Sequence, residues 1–437
     1  MNHITYIHKH KDTIRSIKTA AVMLLTLLVS CGGGGGDSAP QPTYDISGTV
    51  TGAPNVTITL NGLASKTTIT DPSGNYSFTG IANGSYTVTP SVTWYAFNPP
   101  SQTVIVSGAT VTDTNFSATK ELFVTDYSDH VILVYAKNAD GDIAPARSIA
   151  GSNTGLYTPS SVKLDTLNNE IFAVNQFYDL SSKLGDSITV YSGDAVGNAT
   201  PIRTIAGAKT RLLSDWTRPP GSNPNGPSGM IIDNSHNEII VVNAFTHSIL
   251  FFDRNANGDI SPIRTISGPA TGLDRPLDLF LDAVNDEIFV SNFTNNSITV
   301  YSRTGSGDVA PLRTIIGAAT KLDGPLGIIV DNVSNEIIVA NYVDTLTSNS
   351  NITTYSRLSN GNVAPQRTIE GALTGLDGPL LGISLDTGND EIAVAVRGSP
   401  PSIKIFNKTD DGNIAPQRTI VGPATLLSNP WGVTIVP

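Results

Sequence analysis

Apolar residues along this chain fall into short runs, and almost every run is fenced by Gly, Asn, Asp or Pro. From Leu122 onward the runs recur in sets of four. In the fourth set they are residues 277–282, 287–290, 297–301 and 312–315. Several, such as residues 239–242 (IIVV), are apolar on both sides, the pattern of a strand buried between two layers. No stretch beyond residue 30 sustains a helical period, so the pattern predicts an all-β chain.

Each set ends in one phrase, Pro-x-Arg-Thr/Ser-Ile-x-Gly, with its arginine at Arg147, Arg203, Arg264, Arg313, Arg367 and Arg418. The intervals are 56, 61, 49, 54 and 51 residues, the length of a propeller blade or a solenoid unit. The ends of the chain choose between them. Residues 122–124 form a second-type strand with no first-type strand before it, and residues 431–436 form a first-type strand with nothing after it. Each type then occurs six times, so the C-terminal strand is expected to lie beside Phe123 and close a ring. Closure removes strand edges that would otherwise template aggregation, whereas an open solenoid would need capping repeats. Residues 120–437 therefore read as a six-bladed β-propeller.

Before it, residues 46–50, 56–60, 66–70, 76–78 and 85–89 alternate with period two. Residues 71–75 form a tight turn, and Asn83-Gly84 is a hairpin signal. Residues 44–118 thus read as a small β-sandwich whose core Tyr95, Phe97 and Phe116 complete. The expected architecture is a small β-sandwich followed by a six-bladed β-propeller closed by the C-terminal strand.

The Asp-x-x-Gly-x-Tyr-x-Phe of residues 71–78 and the Gly-x-Tyr-x-Val of residues 84–88 resemble the carboxypeptidase regulatory-like (transthyretin-type) sandwich. That resemblance implies a spacer or adhesive module without catalysis. The segment ending at Asn341 and residues 291–301 resemble the NHL and YVTN propeller families, which include binding proteins and enzymes alike.

The N-terminus carries Lys9, Lys11, Arg15 and Lys18 ahead of an apolar run at residues 20–29. A span needs roughly 20 apolar residues, so this run fits a secretory signal instead. It ends in Leu28-Val29-Ser30-Cys31, which resembles the lipobox of bacterial lipoprotein precursors. The resemblance implies removal of residues 1–30 and lipidation of Cys31, and several acyl chains anchor a protein stably in a membrane. Gly32 in place of Asp implies an outer-membrane lipoprotein, periplasmic or surface-exposed. Residues 31–43, rich in Gly and then Pro, read as a flexible tether. With four basic residues and one acidic residue removed, the formal charge of −11 becomes −14, which argues against nucleic acid as a partner. The single cysteine excludes intrachain disulfides and multi-thiolate metal sites.

Candidate chemistry gathers at one end of the ring, termed the top, where the second strand of each blade runs toward the third. The longest insertions fall on this face, at residues 177–186, 210–227, 343–350 and 397–402, and variable loops on a regular scaffold carry binding. At the end of the second strand stand Asp126, Asn175, Asn243, Asn292 and Asn341, with Val396 breaking the series. Two readings compete. One is a ring at the channel mouth that holds Ca²⁺ or a polar ligand, as resemblance to lactonase-like propellers implies. The other is that each side chain bonds its own turn. Hard cations favour carboxylates, and the ring holds only Asp126, with Asp274, Asp323 and Asp377 in loops of the same face. Tyr127, Tyr178, Trp216, Phe245, Phe293 and Tyr342 are candidate contacts on that face.

Six glutamates (Glu121, Glu170, Glu238, Glu287, Glu336 and Glu391) open the second strands in register with the six arginines, so Glu–Arg pairing is expected. Asp165, Asp233, Asp282, Asp331 and Asp386 are competing partners. The hairpins at residues 138–142 and 255–259 share the first half of a calcium loop without its twelfth-position Glu, and read as turns. Beyond the signal only His130, His236 and His247 remain, and no Gly-x-Ser-x-Gly elbow is present. His130 and His247 occupy equivalent positions, which repeat symmetry explains without catalysis. The functional expectation is a monomeric, lipid-anchored binding scaffold for a protein or glycan, with a metal-dependent hydrolase or lyase as the alternative.

Overall fold

Pro430–Ile435 lies antiparallel beside Phe116–Asp126, with Val433 opposite Val124 and Ile435 opposite Leu122. The ring is therefore closed where the unpaired strands at the two ends of the repeat required. The computed structural model describes residues 41–176, 185–214, 226–342 and 350–437, and residues 43–437 form one unit. Among the described residues there are six blades of four antiparallel strands. Blade 1 combines Pro430–Ile435 with the second half of Phe116–Asp126, then Val131–Ala136 and Arg147–Ile149. Blades 2 to 6 begin with Pro159–Asp165, Pro227–Asp233, Pro276–Asp282, Pro325–Asp331 and Leu380–Asp386. These first strands neighbour one another around the axis.

The sandwich pairs Tyr44–Thr51 with Asn75–Ile81 in one layer and orders Lys66–Ile69, Thr57–Gly62, Gly84–Ser91 and Gln102–Val106 in the other. Ile46, Ile58, Leu60 and Val88 are fully buried between the layers, with Phe116 beside them and Tyr95 and Phe97 at the margin. No linker joins sandwich to propeller. Phe116–Asp126 is one continuous strand, paired with Tyr95–Asn98 at its start and with Val131–Ala136 at its end.

The recurrent phrase is explained residue by residue. Its isoleucine (Ile149, Ile205, Ile266, Ile315, Ile369, Ile420) is buried between neighbouring blades and bridges in parallel to a hairpin glycine of the next one (Gly197, Gly258, Gly307, Gly361, Gly412, Gly141). Each such side chain contributes roughly 1.5–3 kcal/mol by leaving water. The Asx residues flanking the hairpin glycine accept backbone N–H groups of the preceding blade, as Asn257 does from Thr204 at 3.0 Å and Asp259 from Lys209 at 2.7 Å. Asp140 and Asp142 do the same for Thr419 and Ala424 across the closure. The hairpins that echo calcium loops are clasps between blades.

The phrase's glycine must be glycine. At Gly268 φ is +135°, and a Cβ would stand 2.4 Å from the Asp308 carboxyl carbon of the next blade.

All six arginines pair with the expected glutamate, at 2.5 to 2.8 Å. The first-strand aspartates serve the next interface. Asp165 takes Arg254, Asp233 takes Arg303, Asp331 takes Lys408 and Asp386 takes Lys137, at 2.7 to 3.0 Å. Asp282 lies 3.6 Å from Arg357. Five of the six blade junctions therefore carry an ion pair near the lower face. At the sixth, Gly193 stands where the other blades have the cation, and the sandwich's Trp94 packs there instead, so close that a Cβ on Gly193 would lie 2.7 Å from its ring.

Candidate functional site

The second-strand terminal residues point into their own blades. Asn292 donates to Ser297 Oγ at 3.2 Å and Thr299 Oγ1 at 2.9 Å, while its Oδ1 accepts the Asp274 N–H. Asn175 repeats this with Ser187, Thr189 and the Tyr157 N–H, and Asn341 with Asn351, Thr353 and the Asp323 N–H. Asn243 donates to the Arg211 carbonyl and accepts from Phe245 and Thr246. Asp126 accepts from the backbone of Ser428 and Asn429 and from Ser428 Oγ. All five are fully buried. This is the geometry of the turn-bonding reading, because the lone pairs a cation would need are directed at the protein's own N–H groups. Among the described residues no group of three or more His, Cys, Asp or Glu is placed to hold a metal ion.

His130 and His247 hold equivalent left-handed turn positions and accept the backbone N–H of Thr158 and Arg275 through Nδ1. Asn296 does the same for Gly324 in the next blade, so the role is to support a loop. Burial holds His130 below its ordinary pKa against the opposing pull of the Tyr127 backbone, Asp129 and Asp126. That keeps its ring neutral and able to accept.

The upper rim carries aromatic rings beside arginines. Tyr127 meets Trp431 at a tilt with ring centres 4.8 Å apart, and His130 stacks on Tyr157 at 4.5 Å. Phe293 meets Tyr342 edge-on at 5.6 Å, with the Arg275 guanidinium 4.8 Å above Phe293 and Arg397 5.9 Å from Tyr342. Phe245 is 43% exposed. Tyr342, expected as a contact, is 4% exposed and acts from beneath, its hydroxyl accepting from Arg397 at 3.3 Å. Tyr178, Trp216 and Cys31 lie outside the described residues.

Along the axis the channel pinches almost shut. The third positions of the six first strands are Ser161, Gly229, Asp278, Gly327, Gly382 and Gly432. A Cβ on Gly229 would lie 2.3 Å from Asp278 Oδ1, on Gly327 2.5 Å from the Leu381 carbonyl, and on Gly382 2.7 Å from the Trp431 carbonyl. The cavity left there measures 20 Å³, about one water's room. Burial raises the Asp278 pKa, with Lys163 and the Ile328 and Leu279 N–H groups pulling the other way.

Below the pinch the bore widens into a cavity of 390 Å³ at the lower end of the ring. The fifth positions of the first strands, Lys163, Ile231, Phe280, Ile329, Ser384 and Thr434, all line it. The upper-face emphasis of the sequence passed over these residues. Aligning the blades shows both layers at once, Gly or Ser at position three in every blade but the one with Asp278, and three apolar residues beside Lys163, Ser384 and Thr434 at position five.

Residues 44–125 match the family model described as the second beta sandwich domain of BOS complex subunit NOMO1-like proteins. No curated protein matches the chain in sequence. Among solved structures, the chain in the nidogen/laminin complex is 12% identical with a TM-score of 0.49, over 72% of this chain and 98% of that one. A candidate 6-phosphogluconolactonase from Bacteroides fragilis is 12% identical with a TM-score of 0.47, over 72% and 98%. A functionally unknown protein from Desulfotomaculum acetoxidans is 14% identical with a TM-score of 0.45, over 80% and 95%.

Proposed function

We propose that this chain is a lipid-anchored envelope protein whose propeller binds a protein partner through its upper rim, with the sandwich as a rigid spacer. The observation that carries the reading is the rim itself, where Phe245 is exposed and the Phe293–Tyr342 pair is flanked by Arg275 and Arg397. Aromatic and arginine side chains on a rigid support are what dominates the energetics of protein interfaces. The anchor rests on the Leu28-Val29-Ser30-Cys31 sequence and the outer-membrane address on Gly32. None of the described residues forms a helix long and apolar enough to cross a membrane. A glycan is the second class such a rim could take, and hydrolysis at the channel mouth is the competing activity.

Photo-cross-linkers placed at positions 245 and 293, and at 167 and 284 on the opposite face, test this in whole cells. A discrete protein adduct from the upper positions alone is the expected result. Adducts confined to the lower positions would overturn it, and retention on a glycan matrix abolished by Phe245→Ala would move the reading to glycan. Metal analysis with a lactone and ester hydrolysis screen covers the enzyme, and turnover lost on chelation would establish it instead.

A further inference from the structure

We infer that the cavity at the lower end of the bore binds a single-chain anionic amphiphile, with its head at Lys163 and its apolar tail against Ile231, Phe280 and Ile329. At 390 Å³ the cavity falls within the range of small-molecule sites, and apolar walls with a few placed polar groups, here Lys163 with Ser384 and Thr434 at the same level of the bore, are the usual composition of such a site. Leu164, Ile232, Leu385 and Ile435 continue the apolar wall. Exposed Val333 lines the opening, and Leu167 and Val284 project from the equivalent turns of blades 2 and 4.

Lys163 supplies the polarity of the site. It lines both the small cavity at the pinch and the larger one below, so the residue stands between them. It is the only cationic residue lining either cavity, and it enters no ion pair among the described residues. The other cations of the lower face, Lys137, Arg254, Arg303, Arg357 and Lys408, are each held by carboxylates. Asp331, the acidic side chain on the cavity wall, is taken by Lys408 at 2.7 Å. Asp278 lies within the electrostatic reach of Lys163 but outside ion-pair distance, and its Oδ2 accepts the Ile328 N–H. A half-buried cation at the inner end of an apolar pocket favours an anionic head over a neutral or cationic one, because the low dielectric strengthens that pairing.

The full chain, purified without detergent, would be titrated calorimetrically with dodecanoate, dodecanol and dodecyltrimethylammonium. Saturable one-to-one binding of dodecanoate is expected, at least tenfold tighter than either of the others. Lys163→Met should remove that preference while leaving the weaker dodecanol binding in place. Ile231→Trp should block all three by filling the cavity, with near-UV circular dichroism confirming the fold. Phe245→Ala, on the upper rim, should change none of them, which separates this site from the proposed partner surface. Equal affinity for the three head groups, a Lys163→Met protein that still prefers dodecanoate, or sedimentation with phosphatidylglycerol vesicles without binding of monomeric dodecanoate would each overturn the inference.

Discussion

Trp94 of the sandwich lies 5.9 Å from Phe123 of blade 1, ring centre to ring centre, and closes over Gly193 of blade 2. Among the described residues it occupies the one blade junction without a lower-face ion pair, so the sandwich completes the propeller. Trp94 is 9% exposed, and truncating a buried aromatic costs about 3–5 kcal/mol. Trp94→Ala is therefore expected to lower the unfolding free energy by that amount, read as a lower urea midpoint, and to separate sandwich and propeller into two transitions. A single transition at an unchanged midpoint would show that the contact is incidental.

The clasp glycines allow a matched comparison. Gly268 and Gly307 both have positive φ, at 135° and 75°, but a Cβ at Gly307 meets nothing within 4 Å. Gly307→Ala should cost only the left-handed backbone term, about 1–2 kcal/mol. Gly268→Ala should cost more, because Asp308 must also yield. Chemical denaturation of the two variants should rank them in that order, and the reverse ranking would sink the clasp explanation.

How much of this was legible beforehand depends on whether a feature repeats. The six Arg–Glu pairs and the closing strand could be read from register alone, since each blade supplies the same residue at the same place. The cations that meet the first-strand aspartates repeat as well, at the residue after each third strand, but only an alignment of blades shows that Gly193 is the exception. The Asn series at the second-strand ends was visible as a pattern, yet its direction was not. Whether Asn292 faces the bore or its own hairpin is decided by Thr299, a residue on the neighbouring strand. The lower cavity was hidden for another reason. Ile231, Phe280 and Ile329 look like any core residues in sequence, and only the glycine layer above them turns the bore into a closed-ended pocket.

Asp331 makes the lower-face ring sensitive to acid. Burial would raise its pKa, but hydrogen bonds from Lys408, Ser334 Oγ and the Val333 and Ser334 N–H groups outweigh that and bring it to about 2. A carboxylate depressed on folding contributes stability that is present above its unfolded pKa and lost as pH falls through the folded value. The loss should therefore run from about pH 4 to about pH 2. Lys408→Met removes the donor, and its acid-unfolding midpoint should move to higher pH. Coincident acid transitions for variant and parent would rule out this contribution.

The buried tyrosines of four blades bond across to the preceding repeat. Tyr355 donates to the Thr320 carbonyl and Tyr191 to that of Thr154, and burial pushes the Tyr355 hydroxyl up to about 12, against the Thr353 hydrogen bond. Phe252 and Phe406 hold the same place in blades 3 and 6, so the ring tolerates the hydroxyl's absence. Tyr355→Phe should cost about 1–3 kcal/mol, because the Thr320 carbonyl is left without its donor. Thermal denaturation would show a modest drop with the fold intact, and an unchanged transition would mean that this carbonyl finds another donor.

Closure itself can be tested by removing residues 430–437. That deletion strips Trp431, Val433 and Ile435 from the core shared by blades 1 and 6 and leaves the strand Phe116–Asp126 with a free edge where Pro430–Ile435 had paired. An exposed, apolar edge strand recruits a strand from another copy, so the truncated chain should elute as oligomers or aggregate. Val433→Asp tests the same point without shortening the chain, by burying an unpaired carboxylate where Val433 is now 2% exposed. It should lower stability by several kcal/mol yet remain monomeric while folded, since the backbone pairing to Val124 and Phe123 survives. Size-exclusion chromatography with light scattering separates the two outcomes. A truncated chain that stays monomeric with a native-like cooperative transition would mean that the other five blades hold the ring without the latch.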